Sequence, residues 1–185
     1  MSVPPSVLGI DLASKNSALV LLDADGQVVD QRDSVGLTPR AWAQQVADVS
    51  YGADVVIIED LPAHVPWGSI VKTVCMVQGR ILQALPPQRL QDTWFVTPAV
   101  WQQSYEGVWK GKASAAATVA AEFGYEPPDV VGATRFLEAS RTPGEAKRWA
   151  KKVMTDYVDA YLIAQWGRFN PEVEETTMVK SAVGR

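Results

Sequence analysis

Four carboxylates stand at positions where a lone charge is costly. Asp11 lies between Ile10 and Leu12 in the apolar run Val7-Leu8-Gly9-Ile10-Asp11-Leu12. Glu59 closes Val55-Val56-Ile57-Ile58-Glu59, after four consecutive β-branched residues. Asp156 and Asp159 belong to Asp156-Tyr157-Val158-Asp159-Ala160-Tyr161-Leu162-Ile163. On a helix that spacing puts both acids on one face, with Cβ atoms about 5–6 Å apart. Burying a charge without a partner is strongly unfavourable, and two acids on an apolar helix face repel one another. A shared cation relieves both problems. Donor sets made of oxygen suit magnesium or manganese. A pair of such ions about 3.5–4 Å apart can activate an attacking water and stabilise the leaving oxygen of a phosphodiester. His64 is the only histidine, which excludes a zinc site built on several histidines. Each acid also has a plainer reading. Asp11 can end a strand, Glu59 can be a loop acid beside Asp60, and Asp156 and Asp159 can be solvated helix charges. Their joint placement favours the metal cluster.

The elements that must position these acids can be read from the apolar pattern. Val7–Leu12, Ser17–Leu22 and Val28–Arg32 read as strands of an antiparallel meander, with Asp23-Ala24-Asp25-Gly26 as a turn. Thr38-Pro39 starts a helix, with Thr as cap and Pro in the first turn. Trp42, Val46 and Val49 recur along it at helical spacing. Asp54–Glu59 suits a strand buried on both faces. A loop holding Pro62 and Pro66 leads to a long helix over 69–85, ended by Pro86-Pro87. Trp94–Val96 is a short strand, and Lys112–Phe123 an alanine-rich helix closed by Gly124. The Pro- and Gly-containing stretch 125–143 reads as an insertion or mobile loop. Glu145–Trp166 is a last long helix, and the tail beyond Asn170 reads as loose. The order β-β-β-α-β-α-β-α-α implies a single α/β domain over 1–170, with a mixed five-stranded sheet and helices on both faces.

A chain of 185 residues is long enough to build a core without staples. The lone Cys75 cannot form an internal disulfide and is expected to be a small buried hydrophobe. Met1–Pro5 has neither a basic region nor an apolar stretch, and no run approaches a membrane span of about 20 residues. A soluble, cytoplasmic protein is expected. The net charge of −4 is uneven. Residues 1–60 hold three basic against nine acidic side chains, whereas 110–152 hold eight against five. Lys147, Arg148, Lys151 and Lys152 lie in the basic stretch and read either as phosphate contacts or as a solvated helix face. Trp67 reads as a core residue or as a platform for an unpaired base.

The element order matches a ribonuclease H-like layout. Three segments resemble the RuvC-type Holliday-junction resolvases: Val7-Leu8-Gly9-Ile10-Asp11, Val56-Ile57-Ile58-Glu59, and the helix Asp156-x-x-Asp159-Ala160-x-x-Ile163-Ala164. Gln78-Gly79-Arg80 and Gly111-Lys112 are also similar to segments of that family. The resemblance implies catalytic acids at Asp11, Glu59, Asp156 and Asp159, with Lys112 near the scissile phosphate. It also implies two Mg2+ ions, for which Mn2+ can substitute. A homodimer would make paired nicks across a four-way junction or other branched DNA. Small resolvases of this type occur in phages, which would place the protein in the host cytoplasm. In ribonuclease H proper a glutamate comes from the first helix, which here offers Gln44, Gln45 and Asp48 instead. The loop after Glu59, with Pro62, His64 and Trp67, departs from the family pattern, so cutting preference does not carry over.

Two other classes share features with the chain. Gly9-Ile10-Asp11-Leu12-Ala13-Ser14-Lys15-Asn16-Ser17 also resembles the first phosphate loop of actin- and Hsp70-type ATPases, but no second Gly-rich phosphate loop follows. A catalytically silent module that only binds branched DNA would not need all four acids.

The helix over 69–85 carries Ile70, Val71, Val74, Cys75, Val77, Ile81, Leu82 and Leu85, an apolar surface wider than one core-facing stripe. A two-fold dimer through this helix is expected. Sedimentation at micromolar concentration should show it; a monomer alone, both free and on junction DNA, would exclude it.

Overall fold

The computed structural model describes residues 3–13, 15–61, 68–105 and 113–170. Pro62, His64, Pro66, Trp67, Lys112 and the tail 171–185 lie outside the described residues. Strands β1 (Val7–Asp11), β2 (Ala18–Leu22) and β3 (Val28–Asp33) form the antiparallel meander. Asp23 Oδ1 accepts from the backbone N–H groups of Asp25 at 2.9 Å and Gln27 at 2.8 Å, and Gly26 takes the positive φ that completes the turn. Helix α1 (Pro39–Ser50) follows, and Thr38 Oγ1 accepts from the Ala41 N–H at 3.2 Å. Strand β4 (Val55–Glu59) lies parallel to β1, and β5 (Thr93–Val96) parallel to β4. The sheet order is β3-β2-β1-β4-β5.

Strand alternation divides the core in two. Leu8, Ile10, Leu19, Leu21, Val56 and Ile58 face α1 and α2 (Ser69–Ala84). Val7, Val20, Leu22 and Ile57 face the opposite layer, dominated by α7 (Pro143–Phe169). This layer also takes Trp101 from α4 (Pro98–Gln103), Ala120 from α5 (Ala113–Glu122) and Phe136 from α6 (Thr134–Ala139). A one-turn helix, α3 (Pro87–Gln91), leads from α2 to β5. The mixed sheet with helices on both faces is the expected layout. None of the helices among the described residues is long and apolar enough to cross a membrane.

Helix α7 sits unusually close to the sheet because two glycines meet its path. A β-carbon at Gly9 would collide with the Ala160 carbonyl oxygen and the Ala164 nitrogen, both backbone atoms of α7. A β-carbon at Gly167 would run into Ile57 and Val7. At the far end, Arg168 Nη2 donates to the Ala24 carbonyl at 2.7 Å, tying the helix to the β2–β3 turn.

Three expectations need correction. Cys75 is exposed rather than buried. The buried stripe of α2 is Val71, Val74, Val77 and Ile81, and Cys75 is rotated about 100° from Val74, away from the sheet. The stretch 125–143 is not structureless: it contains α6 and packs on α7 through buried Tyr125, Val130 and Phe136. Tyr125 stacks on Tyr161 with ring centres 4.0 Å apart. The last helix starts at Pro143 rather than Glu145. Thr142 Oγ1 accepts from the Glu145 N–H at 3.1 Å, while Glu145 Oε2 accepts from the Arg141 N–H at 2.9 Å, a variant of the capping box that Thr142-Pro143-x-Glu145 would have suggested.

Gly9→Ala should destabilise the protein by about 1–3 kcal/mol, as overpacking against immovable backbone does. Urea unfolding measures this; an unchanged midpoint would show that α7 can move aside freely.

Candidate active site

The acids converge because of strand parity and register. Ile10 pairs with Ile58 across the parallel β1–β4 ladder, so Asp11 and Glu59 are neighbours at the carboxyl ends of their strands. Both have the parity of Val7 and Ile57, and therefore face α7. Ligands gather at such strand ends in open α/β sheets. Helix α7, seated on Gly9 through Ala160 and Ala164, brings Asp156 and Asp159 to the same place from the other side. Asp11 and Asp156 are buried, and Glu59 and Asp159 are partly so.

Electrostatics record this convergence. The Asp11 and Glu59 carboxyls are hydrogen-bonded to each other. Burial raises the Asp11 pKa well above the usual aspartate range, and the charges of Glu59, Asp156 and Asp159 raise it further. Burial also raises Glu59, against the lowering effect of its hydrogen bonds with Asp11 and Trp101. Asp159 is pushed up to about 7, by burial first and then by Glu59 and Asp156. Asp156 is raised by burial despite the hydrogen bond and charge of Lys152. Four acids held this close cannot all carry charge in the protein alone without strong mutual repulsion.

Several neighbours hold the acids in place. Trp101 Nε1 donates to Glu59 Oε1 at 2.9 Å. The Trp101 ring is fixed by burial and by an edge contact with Tyr105, whose hydroxyl donates to the Leu162 carbonyl at 3.0 Å. Lys152 Nζ donates to Asp156 Oδ1 at 2.8 Å, while Asp156 Oδ2 is buried without a hydrogen-bond partner. Burial opposes the charge on Lys152, but the hydrogen bond and charge of Asp156, with Asp11 and Asp159 beyond, raise its pKa on balance.

A fifth buried acid lies nearby. Asp33 Oδ2 accepts from Arg135 Nη2 at 2.6 Å and from the Tyr157 hydroxyl at 2.8 Å. Asp33 is thus occupied in clamping α6 and α7 to β3, rather than open to a ligand.

The structure therefore brings together Asp11, Glu59, Asp156 and Asp159, and leaves Lys112 outside the described residues. Sequence reasoning missed Gly9 as the seat of α7, Trp101 as the orienting donor and Lys152 as the partner of Asp156. The Lys152–Asp156 spacing of four was a usable signal. Nothing in the sequence pairs Trp101 with Glu59.

No family model matches the sequence, and no curated protein is similar to it by sequence. Solved structures are similar in fold. Thermus thermophilus RuvC has a TM-score of 0.59 at 16% identity, over 94% of this chain and 98% of that one. T. thermophilus RuvC in complex with a Holliday junction substrate has a TM-score of 0.58 at 15% identity, over 90% of this chain and 94% of that one. The fold is the RuvC-type, ribonuclease H-like fold.

A raised carboxylate pKa makes stability fall as pH rises, because the folded state binds the proton more tightly. For Asp159 that loss runs from about pH 4, the ordinary aspartate range, to about 7. Thermal melts of the metal-free protein should therefore fall across this window, and Asp159→Asn should flatten the fall. A wild-type melt that rises over the same range would contradict the described cluster.

Proposed function

We propose that the protein is a divalent-metal-dependent, structure-selective endonuclease that resolves Holliday junctions and other branched DNA by phosphodiester hydrolysis. The observation that carries this reading is the meeting of Asp11 and Glu59, at adjacent parallel-strand ends, with Asp156 and Asp159 from α7. The fold supports it: the RuvC of similar structure was solved with a Holliday junction substrate.

The residues suit a hard divalent ion. All four donors are carboxylates, Asp156 Oδ2 is buried and unsatisfied, and the raised pKa values mark a deficit of positive charge. Among the described residues no three side chains form a ready-made metal cluster. The donors are right in kind, and substrate phosphate and water would complete the coordination. Asp11, Glu59, Asp156 and Asp159 would hold two Mg2+ ions, or Mn2+ in their place. When bound, such ions supply Lewis-acid activation of water and neutralise the charge that develops on the phosphate. Trp101, donating to Glu59 Oε1, holds the Glu59 carboxylate beside Asp11. Lys152 holds one oxygen of Asp156 and leaves the other available. Lys112, on the resemblance, lies near the scissile phosphate.

The active form in this reading is a homodimer through α2, with one site for each of two opposed strands. The exposure of Ile70, Cys75 and Met76 on that helix supports an apolar partner surface.

Asp11→Asn, Glu59→Gln and Asp159→Asn should each abolish magnesium-dependent nicking of a synthetic four-way junction while keeping the fold and junction binding. A variant that cleaves at near wild-type rate under saturating magnesium would remove that residue from the site. Magnesium-dependent ATP hydrolysis without nicks would point instead to the ATPase reading.

A further inference from the structure

Beside the carboxylates lies a cavity of about 620 Å3 that the chemistry above leaves unused. It is walled by Lys15 and Asn16 after β1, by Arg141 before α7, and by Arg148, Trp149 and Lys152 on α7. Its volume falls in the range of about 300–1,000 Å3 typical of pockets that hold a small molecule.

Three observations define what it would take. The first is charge. With Lys152 already paired to Asp156, Lys15, Arg141 and Arg148 stand against one lining acid, Glu145, whose Oε2 already accepts from the Arg141 N–H at 2.9 Å. That excess suits an anion. The second is Asn16, only 1% exposed, whose amide nitrogen and oxygen are both buried without a hydrogen-bond partner. Buried polar groups are normally satisfied, so a donor and an acceptor side by side on the cavity wall call for a ligand with the complementary pair. The third is Trp149, half-buried against the core with its remaining surface available to the cavity. An indole face there suits a planar ring.

Position links the cavity to the carboxylates. Arg148, Lys152 and Asp156 recur at intervals of four along one stripe of α7. Lys152 both lines the cavity and holds Asp156. The step from Lys152 to Asp156 is one helical turn, about 5.4 Å. Lys147 and Lys151 are exposed and do not line the cavity.

We infer that this cavity is a subsite for one unstacked nucleotide of the DNA strand next to the scissile phosphate. Its phosphate lies on Arg141, Arg148 and Lys15, its base lies against Trp149, and the Asn16 amide pairs with the base edge. The inference rests on the nuclease reading and adds a contact that reads the strand. Asn offers a donor and an acceptor together, the pattern that recognises paired groups on a base edge. The 125–143 stretch has a role in this arrangement, because its anchoring by Phe136 and Tyr125 fixes where Arg141 stands.

The test uses the full chain and a synthetic four-way junction without divalent metal, so that binding is read without cleavage. A single abasic residue is walked along each strand near the exchange point. One position should weaken wild-type binding about tenfold or more. Trp149→Ala and Asn16→Ala should each weaken binding to the intact junction similarly and lose sensitivity to that abasic residue. Arg148→Ala changes an exposed side chain that the fold does not need. It should flatten the dependence of log affinity on log salt by about 0.7–0.9, one phosphate contact, whereas Lys147→Ala should keep more of the wild-type slope. If no abasic position matters, or if both pocket variants remain sensitive to it, the base contact is wrong. An unchanged slope in Arg148→Ala overturns the phosphate contact. The nuclease reading fails separately, if wild type binds with this pattern yet makes no nick when magnesium is added.

Discussion

The seating of α7 on β1 is the contact on which the site depends. Two of the four acids belong to strands and two to a helix distant in sequence, so their meeting requires helix and sheet to approach closely. Gly9 allows this by offering no side chain where the Ala160 and Ala164 backbone passes. Gly167 does the same from the helix, over Ile57 and Val7. Between these contacts the helix has little freedom to slide. Asp156 and Asp159, on the amino-terminal side of these contacts, therefore meet Asp11 and Glu59 at the ends of β1 and β4. Packing, rather than net attraction between the acids, holds the cluster together.

That packing works against electrostatics. Burial raises the pKa of every acid in the cluster, and repulsion from the other cluster acids adds to it at Asp11, Glu59 and Asp159. The fold supplies partial relief through the Lys152 ammonium and the Trp101 N–H. Neither neutralises the set, and one oxygen of Asp156 keeps no partner. A core strong enough to hold unfavourable charges in place is a common property of sites that bind cations, because the ion then recovers the repulsion as binding energy.

The layer around α7 is also where the chain departs from the simplest version of its layout. The stretch 125–143 crosses the open end of this layer and is fastened at three points: the Tyr125–Tyr161 stack, the buried Phe136 ring, and the Arg135–Asp33–Tyr157 clamp. It then turns through Arg141 into the cap of α7. The result is a basic wall facing the connection after β1, close to the acids but of opposite charge. On the proposed nuclease reading, a carboxylate cluster flanked by cations would separate the two demands of a polyanionic substrate, one region for the reacting phosphate and another for the strand.

Local pattern determined much of this. The β-branched run ending at Glu59, the turn at Asp23–Gly26, the Thr38-Pro39 helix start and the i,i+3 acids of α7 follow from short-range sterics and periodicity, and they were legible without coordinates. So was the suspicion that Asp11 and Glu59, as charges in apolar strands, shared a task. The exposure of Cys75 was not, because a run apolar on most sides of a helix does not say which side meets the sheet. The packing of 125–143 was hidden as well, since Pro and Gly mark a break in regular structure but do not forbid tertiary contacts. Trp101 and Glu59 are 42 positions apart, and Asp33 and Arg135 are 102 apart. Contacts of that range leave no periodic trace in one sequence. Only the tertiary structure decided them, because they depend on how closely two layers approach, and at Gly9 that distance is set by the side chain that is missing.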